Sequence, residues 1–129
     1  MLEVLPIQEK SYQETLCLRC GVKYKPELMA YSAHVDGELV GVCQFSMSDK
    51  GGRLVDLANT VGVKDTQALF VVGRATLNFI DLCGVHYAYC NSSDIDEVLL
   101  RAIGFSKNSD GIYDVDLTHF FDHPCQHNK

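Results

Sequence analysis

The stretch from Arg53 to Gly84, RLVDLANTVGVKDTQALFVVGRATLNFIDLCG, decides the fold, because it predicts a strand, a tight connection and one long helix. Its first part, Arg53 to Val63, is rich in leucine and valine and contains no proline, which is typical of a strand inside a sheet. Asp65 or Thr66 is then expected to cap the helix, since a short side-chain oxygen accepts hydrogen bonds from first-turn amides. Gly84 is expected to end the helix in a left-handed conformation.

The predicted helix has one broad apolar face. That face is made of Leu69, Val72, Leu77, Phe79 and Ile80. A strand that runs directly into a helix places free backbone amides and the positive end of the helix dipole at the edge of the sheet. Such an edge favours the binding of a phosphate group.

Composition excludes several classes of function. The 129 residues, 47% hydrophobic and 22% charged, predict one globular domain. The formal net charge of −6 argues against a nucleic-acid partner, because phosphate backbones are bound by basic surfaces. No apolar run approaches the roughly 18 residues that cross a bilayer, and the N-terminal MLEVLPIQEK lacks a signal-peptide pattern. We therefore predict a cytosolic protein with no membrane partner.

Six cysteines raise the question of a metal or redox role. Cys17 and Cys20 form a CxxC pair, but no second pair follows at the spacing of a zinc ribbon. The other cysteines lie among apolar neighbours: Cys43, Cys83, Cys90 and Cys125. We therefore predict reduced thiols and no metal site. A metal-binding alternative exists near the C-terminus at His119, His123, Cys125 and His127, but a loose tail lacks the fixed partners that orient metal ligands.

The segments before Arg53 predict a strand, a helix and a hairpin. Leu2 to Ile7 is a candidate first strand, and a capping box at Ser11 and Glu14 is expected to open a helix that stops at Gly21. Two further strands are joined by the Asp36-Gly37 dipeptide, a strong hairpin signal. These strands are Met29 to Val35 and Glu38 to Met47, and a turn from Ser48 to Gly52 follows them.

The segments after Gly84 predict a strand, a helix and a terminal hairpin. Val85 to Cys90 follows a crossover helix, so this strand is expected to lie parallel to the Arg53 strand. A helix from Asp94 to Ile103 is expected to be capped by Ser92 or Ser93 and closed by Gly104. The hairpin pairs Phe105 to Lys107 with Ile112 to Leu117. We predict one α/β (α+β) domain over residues 1–121, with a mixed, mostly antiparallel sheet, helices on both faces and a frayed tail over 122–129.

This order of elements resembles the GNAT superfamily of acyl-CoA-dependent N-acyltransferases. AHVDGELVGVCQF is similar to a hairpin motif of that family, GRATL to the start of its long helix, and AIGF to the end of its second C-terminal helix. The resemblance covers Leu2 to Leu117. It implies that the central strand and the next strand splay apart around acetyl-CoA or another acyl-CoA. It also implies transfer of an acetyl or other acyl group to an amine of a small molecule or peptide, without a metal.

The resemblance also implies positions for cofactor binding. The pantetheine arm would pair with the backbone of Val61, Gly62 and Val63. With GRA as the anchor, the diphosphate loop would comprise Ala68, Val71, Val72, Gly73 and Arg74. Of the residues at its two glycine positions, Val71 and Gly73, only Gly73 fits, and a valine side chain would crowd a diphosphate. Weak, altered or absent cofactor binding is therefore expected.

The catalytic positions depart from the family as well. Leu100 stands where many members have a tyrosine that protonates the departing thiolate, and leucine cannot donate a proton. Tyr89 is the candidate in its place, with Tyr87 and Cys90 as alternatives. Asp56, the only carboxylate of the central strand, is the candidate base.

These departures keep a second hypothesis open. A catalytically inactive GNAT-like domain would use the same cleft to bind a ligand or a protein. The edge of the terminal hairpin could also pair in a homodimer.

Overall fold

The computed structural model describes residues 1–122, which form one seven-stranded sheet and three helices. The strands are β1 (Leu2–Ile7), β2 (Met29–Val35), β3 (Glu38–Ser48), β4 (Gly51–Asn59), β5 (Tyr87–Cys90), β6 (Ser106–Lys107) and β7 (Tyr113–Asp116). The helices are α1 (Lys10–Arg19), α2 (Thr66–Leu82) and α3 (Glu97–Ile103). In the sheet the strands follow the order β1-β2-β3-β4-β5-β7-β6.

The predicted fold class is confirmed. Strands β4 and β5 are parallel, and the other neighbouring strands are antiparallel. Val42 packs in a core with Leu16 and Cys17 of α1, whereas its neighbour Cys43 packs with residues of α2 and α3. Because successive side chains of a strand point to opposite faces, α1 covers one face of the sheet and α2 and α3 cover the other.

The turns of the N-terminal half follow the sequence signals. Asp36 and Gly37 both have positive φ, 51° and 85°, which is the conformation of a two-residue type I′ hairpin. Asp65 caps α2 through its side chain, as predicted, and Gly84 has a φ of 87° directly after the helix. Local sequence signals alone were therefore sufficient to predict this hairpin turn and the two ends of α2.

Several predicted element bounds differ from the structure, and β5, for example, begins at Tyr87 rather than Val85. Helix α1 begins at Lys10 after Glu9, so the predicted capping box at Ser11 does not form. The cap position therefore moves two residues earlier, from Ser11 to Glu9, and the ammonium of Lys10 in the first turn donates to the carbonyl of Leu28 (2.5 Å). Strand β4 ends at Asn59 rather than Val63.

Helix α3 begins at Glu97, three residues later than predicted, because Asp96 rather than a serine accepts from the amide of Leu99 (3.3 Å). The hydroxyl of Ser92 instead accepts from the amide of Asp94 (3.2 Å) in the preceding turn. Several residues in this segment are able to cap a helix, so local sequence does not choose between them.

Two expectations concern the ends of the chain and the membrane. Apart from Asp122, the predicted tail lies outside the described residues, so its fraying and the domain limit at residue 121 stay predictions. Within residues 1–122, no helix is long and apolar enough to cross a membrane.

Candidate functional site

The sheet opens where β4 parts from β5. The two strands pair only at Gly52 with Ala88 and at Arg53 with Tyr89. On the other side of β4, Gln44 lies opposite Asp56 but Phe45 lies opposite Leu54, so Val55 is an extra residue and forms a β-bulge. A bulge bends its strand and increases the local twist. The bulge therefore turns β4 away from β5, and the backbone from Val55 to Asn59 has no β5 partner.

A cavity of about 340 Å³ lies at this opening. Three parts of the chain line it: Cys20–Lys23 with Lys25 after α1, the β4 segment Asp56–Ala58, and Asp94 with Ile95 after β5. Residues far apart in the sequence meet here because β4 and β5 diverge. Clefts lined by a few convergent polar groups are the usual form of small-molecule sites.

Asp56 is the central acidic group of the cavity. Its Oδ2 accepts hydrogen bonds from the ammonium of Lys25 (2.8 Å) and from Nε2 of Gln44 (2.7 Å). The side chains of Lys25 and Asp56 are 27% and 13% exposed, so the ion pair lies at the boundary between the core and the cavity. The bulge at Val55 brings this carboxylate to the same face as α1.

A buried network holds this ion pair in place. Gln44 is fully buried, and its Oε1 accepts from Nε2 of Gln13 (2.9 Å) and from the amide of Lys25 (3.1 Å). Its Nε2 also donates to the carbonyl of Lys23 (2.9 Å). The loop after α1 is therefore fixed to the sheet through one glutamine, which also orients Asp56.

The connection from β4 to α2 is closed by its own side chains. The side chain of Asn59 accepts from the amide of Asp65 (3.1 Å) and donates to the carbonyls of Asp65 (3.2 Å) and Val40 (2.8 Å). The carboxylate of Asp65 accepts from the amide of Ala68 (3.0 Å), and its carbonyl accepts from the amide of Leu69 (3.3 Å). The chain itself thus caps the amide of Ala68 and places a carboxylate at the N-terminus of α2.

Solved structures share this architecture, although no protein-family model and no curated protein sequence matches the chain. A protein from Desulfovibrio desulfuricans, described as an acetyltransferase of the GNAT family, matches with a TM-score of 0.67 and 12% identity, over 92% of this chain and 100% of that one. The ribosomal-protein-S18-alanine N-acetyltransferase of Escherichia coli matches with a TM-score of 0.68 and 10% identity, over 91% and 94%. The chain has the GNAT fold. A PaiA N-acetyltransferase of Thermoplasma acidophilum, in complex with coenzyme A, matches with a TM-score of 0.68 and 10% identity, over 90% and 99%.

The GNAT resemblance assigned the pantetheine-binding backbone to Val61, Gly62 and Val63, but these residues lie beyond the end of β4. The amide of Val61 donates to the carbonyl of Arg19 (2.9 Å), and the amide of Val63 donates to the carbonyl of Thr60 (2.8 Å). Gly62, with a φ of 87°, turns the chain between them. The β-branched residues around Gly62 suggested a longer strand. The β4 backbone that has no β5 partner lies earlier in the chain, from Val55 to Asn59.

The residues assigned to the diphosphate loop lie in helix α2. Because α2 begins at Thr66, Val71 and Val72 are well inside it, where backbone amides are bonded to carbonyls of the preceding turn. Val72 and Ala68 are buried, and the amide of Ala68 is already bonded to Asp65. The assignment of these residues to a diphosphate loop stays a prediction, and the position of Val71 and Val72 inside the helix argues against it.

Gly73 and Arg74 both contribute to the packing of α2 against α3. A Cβ on Gly73 would lie 2.4 Å from Cδ1 of Ile103, so the glycine allows α2 and α3 to approach closely. Nε of Arg74 donates to the carbonyl of Ile103, and its guanidinium lies 5.0 Å and 5.2 Å from the ring centroids of Phe70 and Phe120. Both residues join α2 to α3 and to the segment that follows β7.

We expect Val71→Gly to lower the free energy of unfolding without tightening the binding of acetyl-CoA. Glycine inside a helix costs about 1 kcal/mol, and the half-buried side chain of Val71 is lost as well. Thermal unfolding and calorimetric titration measure the two effects separately. A gain in affinity would restore the alignment that places Val71 beside a diphosphate.

Tyr89, the candidate acid, lies apart from Asp56. It is half-buried in β5 opposite Asp114, and its ring stacks on that of Tyr87 with the centroids 6.2 Å apart. Tyr89 is not among the described residues that line the cavity. The hydroxyl of Tyr87 donates to Asp114 (2.8 Å), which raises the pKa of Tyr87 to about 12. A catalytic role for Tyr89 stays a prediction.

The cysteines near the cavity are protonated thiols. Cys20 lines the cavity, and burial followed by the negative charge of Asp56 raises the pKa of Cys17 to about 11. Burial raises the pKa of Cys43 to about 12. The thiolate is the nucleophilic form, so these thiols are unreactive at neutral pH. Cys17, Cys20, Cys43, Cys83 and Cys90 are free in the structure, and Cys125 lies outside the described residues.

The histidines do not form a metal site in the described part of the chain. Nδ1 of His86 is 2.6 Å from Asp81, and His119 pairs with Asp122. No group of three or more metal-binding side chains occurs in residues 1–122. The predicted cluster also includes His123, Cys125 and His127, which lie outside the described residues.

Sequence reasoning missed the two residues that hold Asp56. Lys25 was assigned to a loop and Gln44 to a strand, with no role for either. A signal for Gln44 exists in VGVCQF, where a glutamine follows an apolar run in a predicted inner strand. A polar side chain there has to find a partner inside the protein.

Proposed function

We propose that the chain is an N-acyltransferase that moves an acetyl or other acyl group from an acyl-CoA to an amine of a small molecule or peptide. The splay of β4 and β5 carries the proposal, because it opens a cavity of about 340 Å³ beside Asp56. The backbone from Val55 to Asn59 is unpaired on the β5 side. An extended arm that contains amide groups can bind there by strand-like hydrogen bonds.

In the proposed reaction the amine nitrogen attacks the thioester carbonyl. A carbon–nitrogen bond forms, the carbon–sulfur bond breaks, and the thiolate leaves with its electron pair. The amine has to lose a proton, which Asp56 accepts directly or through a water molecule. Leu100 is buried in the core, so it cannot protonate the thiolate, and in the open cavity this proton comes from solvent.

A second candidate is a catalytically inactive GNAT-like domain that binds a ligand or protein in the same cavity. The ion pair between Lys25 and Asp56 favours it, because the carboxylate already has an ammonium and an amide as partners. In this case the pair would recognise polar groups of the ligand. For both candidates we retain the predictions of no nucleic-acid partner, no membrane partner, a cytosolic location and a homodimer through the terminal hairpin.

Calorimetric titration with acetyl-CoA tests whether the cleft binds the donor. We expect a Kd in the micromolar to millimolar range, about −4 to −8 kcal/mol. Release of free thiol when a panel of primary amines is added would support acyl transfer. Binding without release would favour the inactive domain. An absence of both heat and thermal shift at millimolar acetyl-CoA would contradict the acyltransferase.

A further inference from the structure

The N-terminus of α2 carries a carboxylate of the chain where the diphosphate of an acyl-CoA would be expected to bind. Of the first-turn amides, that of Ala68 is bonded to the carboxylate of Asp65, while the amide of Leu69 makes the first regular helical bond, to the carbonyl of Asp65. A free helix N-terminus attracts anions through its amides and its dipole. Here a carboxylate of the chain itself occupies that position.

The carboxylate of Asp65 is held in position at the start of α2. Asn59 binds the amide and the carbonyl of Asp65, so the capping residue is held from both sides of its backbone. Lys64 is the adjacent cation, but no ion pair joins it to Asp65 in the part of the chain that the structure describes. A diphosphate brought to this helix end would meet a negative charge, and the amide of Ala68 is already bonded to that carboxylate.

The connection between β4 and α2 gives no replacement cradle. It spans only Thr60 to Asp65, and three of its amides, those of Thr60, Val61 and Val63, donate to backbone carbonyls. By contrast, the edge of β4 from Val55 to Asn59 stays open toward β5. The pantetheine arm of an acyl-CoA would therefore meet unpaired backbone along β4. The diphosphate would meet a negatively charged carboxylate at the N-terminus of α2.

We infer that the chain recognises its acyl donor through the pantetheine arm alone, and that Asp65 excludes the diphosphate from the N-terminus of α2. This inference rests on the proposed function, since it describes how the same cleft selects its donor. It means that the adenosine diphosphate part of acetyl-CoA adds little affinity. A thioester on a bare pantetheine arm is then an equivalent donor.

The test compares acetyl-CoA with S-acetylpantetheine by NMR titration of the full chain, at concentrations up to about 10 mM. We expect the two dissociation constants to agree within about threefold. Acetyl-CoA binding about a hundredfold tighter than S-acetylpantetheine would overturn the inference and leave the proposed function standing. If neither probe binds, the proposed function fails.

Asp65→Asn isolates the charge, because asparagine keeps the oxygen that caps Ala68. We expect this variant to bind acetyl-CoA about tenfold more tightly, with no change for S-acetylpantetheine. Asp49→Asn is the matched control, since it removes one negative charge at the opposite end of β4, about 30 Å away, and we expect no change in either constant. If Asp65→Asn leaves the affinity for acetyl-CoA unchanged while the melting temperature is preserved, Asp65 does not exclude the diphosphate.

Discussion

Replacing Gln44 with leucine is expected to lower the free energy of unfolding by about 3 kcal/mol. Gln44 is fully buried and makes four hydrogen bonds, to Gln13, Lys23, Lys25 and Asp56. Leucine has a similar volume but binds none of these groups. The amide of Lys25 and the carbonyl of Lys23 would each lose a partner in a poorly hydrated place. Denaturant unfolding followed by circular dichroism measures the loss.

A double-mutant cycle with Gln13 shows whether the network is the cause. Gln13 is also fully buried, and its Nε2 donates to Gln44 (2.9 Å) and to the carbonyl of Leu28 (3.3 Å). We expect the double change to leucine to cost less than the sum of the single changes, because the second substitution removes a group that the first left unpaired. Gln8→Leu, at an exposed position, is the control and should cost under about 0.5 kcal/mol. Additive losses would show that the two glutamines act independently.

Replacing Asp56 with asparagine is expected to lower kcat for acyl transfer about a hundredfold or more, because a positioned base accelerates proton transfer by that order. Asparagine keeps an oxygen that can accept from Gln44 and Lys25, so the cavity keeps its shape. The ion pair with Lys25 is partly exposed, so its loss should cost about 1 kcal/mol of stability or less. Initial rates of thiol release, with saturating amine, measure the effect.

Asp94→Asn is the matched control for the active-site charge. Asp94 lines the same cavity but is exposed, and no described residue forms an ion pair with it. We expect kcat to change less than about threefold in this variant. Equal losses in both variants would mean that the cavity needs negative charge rather than a base at Asp56. An unchanged kcat in Asp56→Asn would place the base elsewhere.

Much of the fold could be predicted because its signals are local. Asp36-Gly37 specifies a type I′ turn wherever it occurs between two strands, and both residues have the positive φ that this turn requires. The cap at Asp65 and the glycine at Gly84 likewise act within one helical turn of their own position. A crossover helix between two strands of one sheet predicts a parallel pair, and β4 and β5 form it.

The site was predicted less well than the fold. Asp56 was selected because it is the only carboxylate in its strand, and the structure does place it in the cavity. The assignment of Gly73 to a diphosphate loop stays a prediction, because a sequence does not show whether a glycine makes room for a ligand or for another helix. Only the position of Ile103, thirty residues along the chain, shows that the close approach is to α3.

The sequence by itself determined the order of the elements, the hairpin turn, the start and end of α2, and the placement of helices on both faces of a mixed sheet. The hairpin turn and the ends of α2 follow from hydrogen bonds within a few residues, whereas the placement of helices on both faces is what the resemblance to the GNAT superfamily implies. The tertiary structure alone decided the bulge at Val55, the pairing of Asp56 with Lys25 and Gln44, and the closing of the α2 N-terminus by Asn59 and Asp65. These features depend on which strand lies beside which and in what register, and on partners as many as 31 residues apart in the chain.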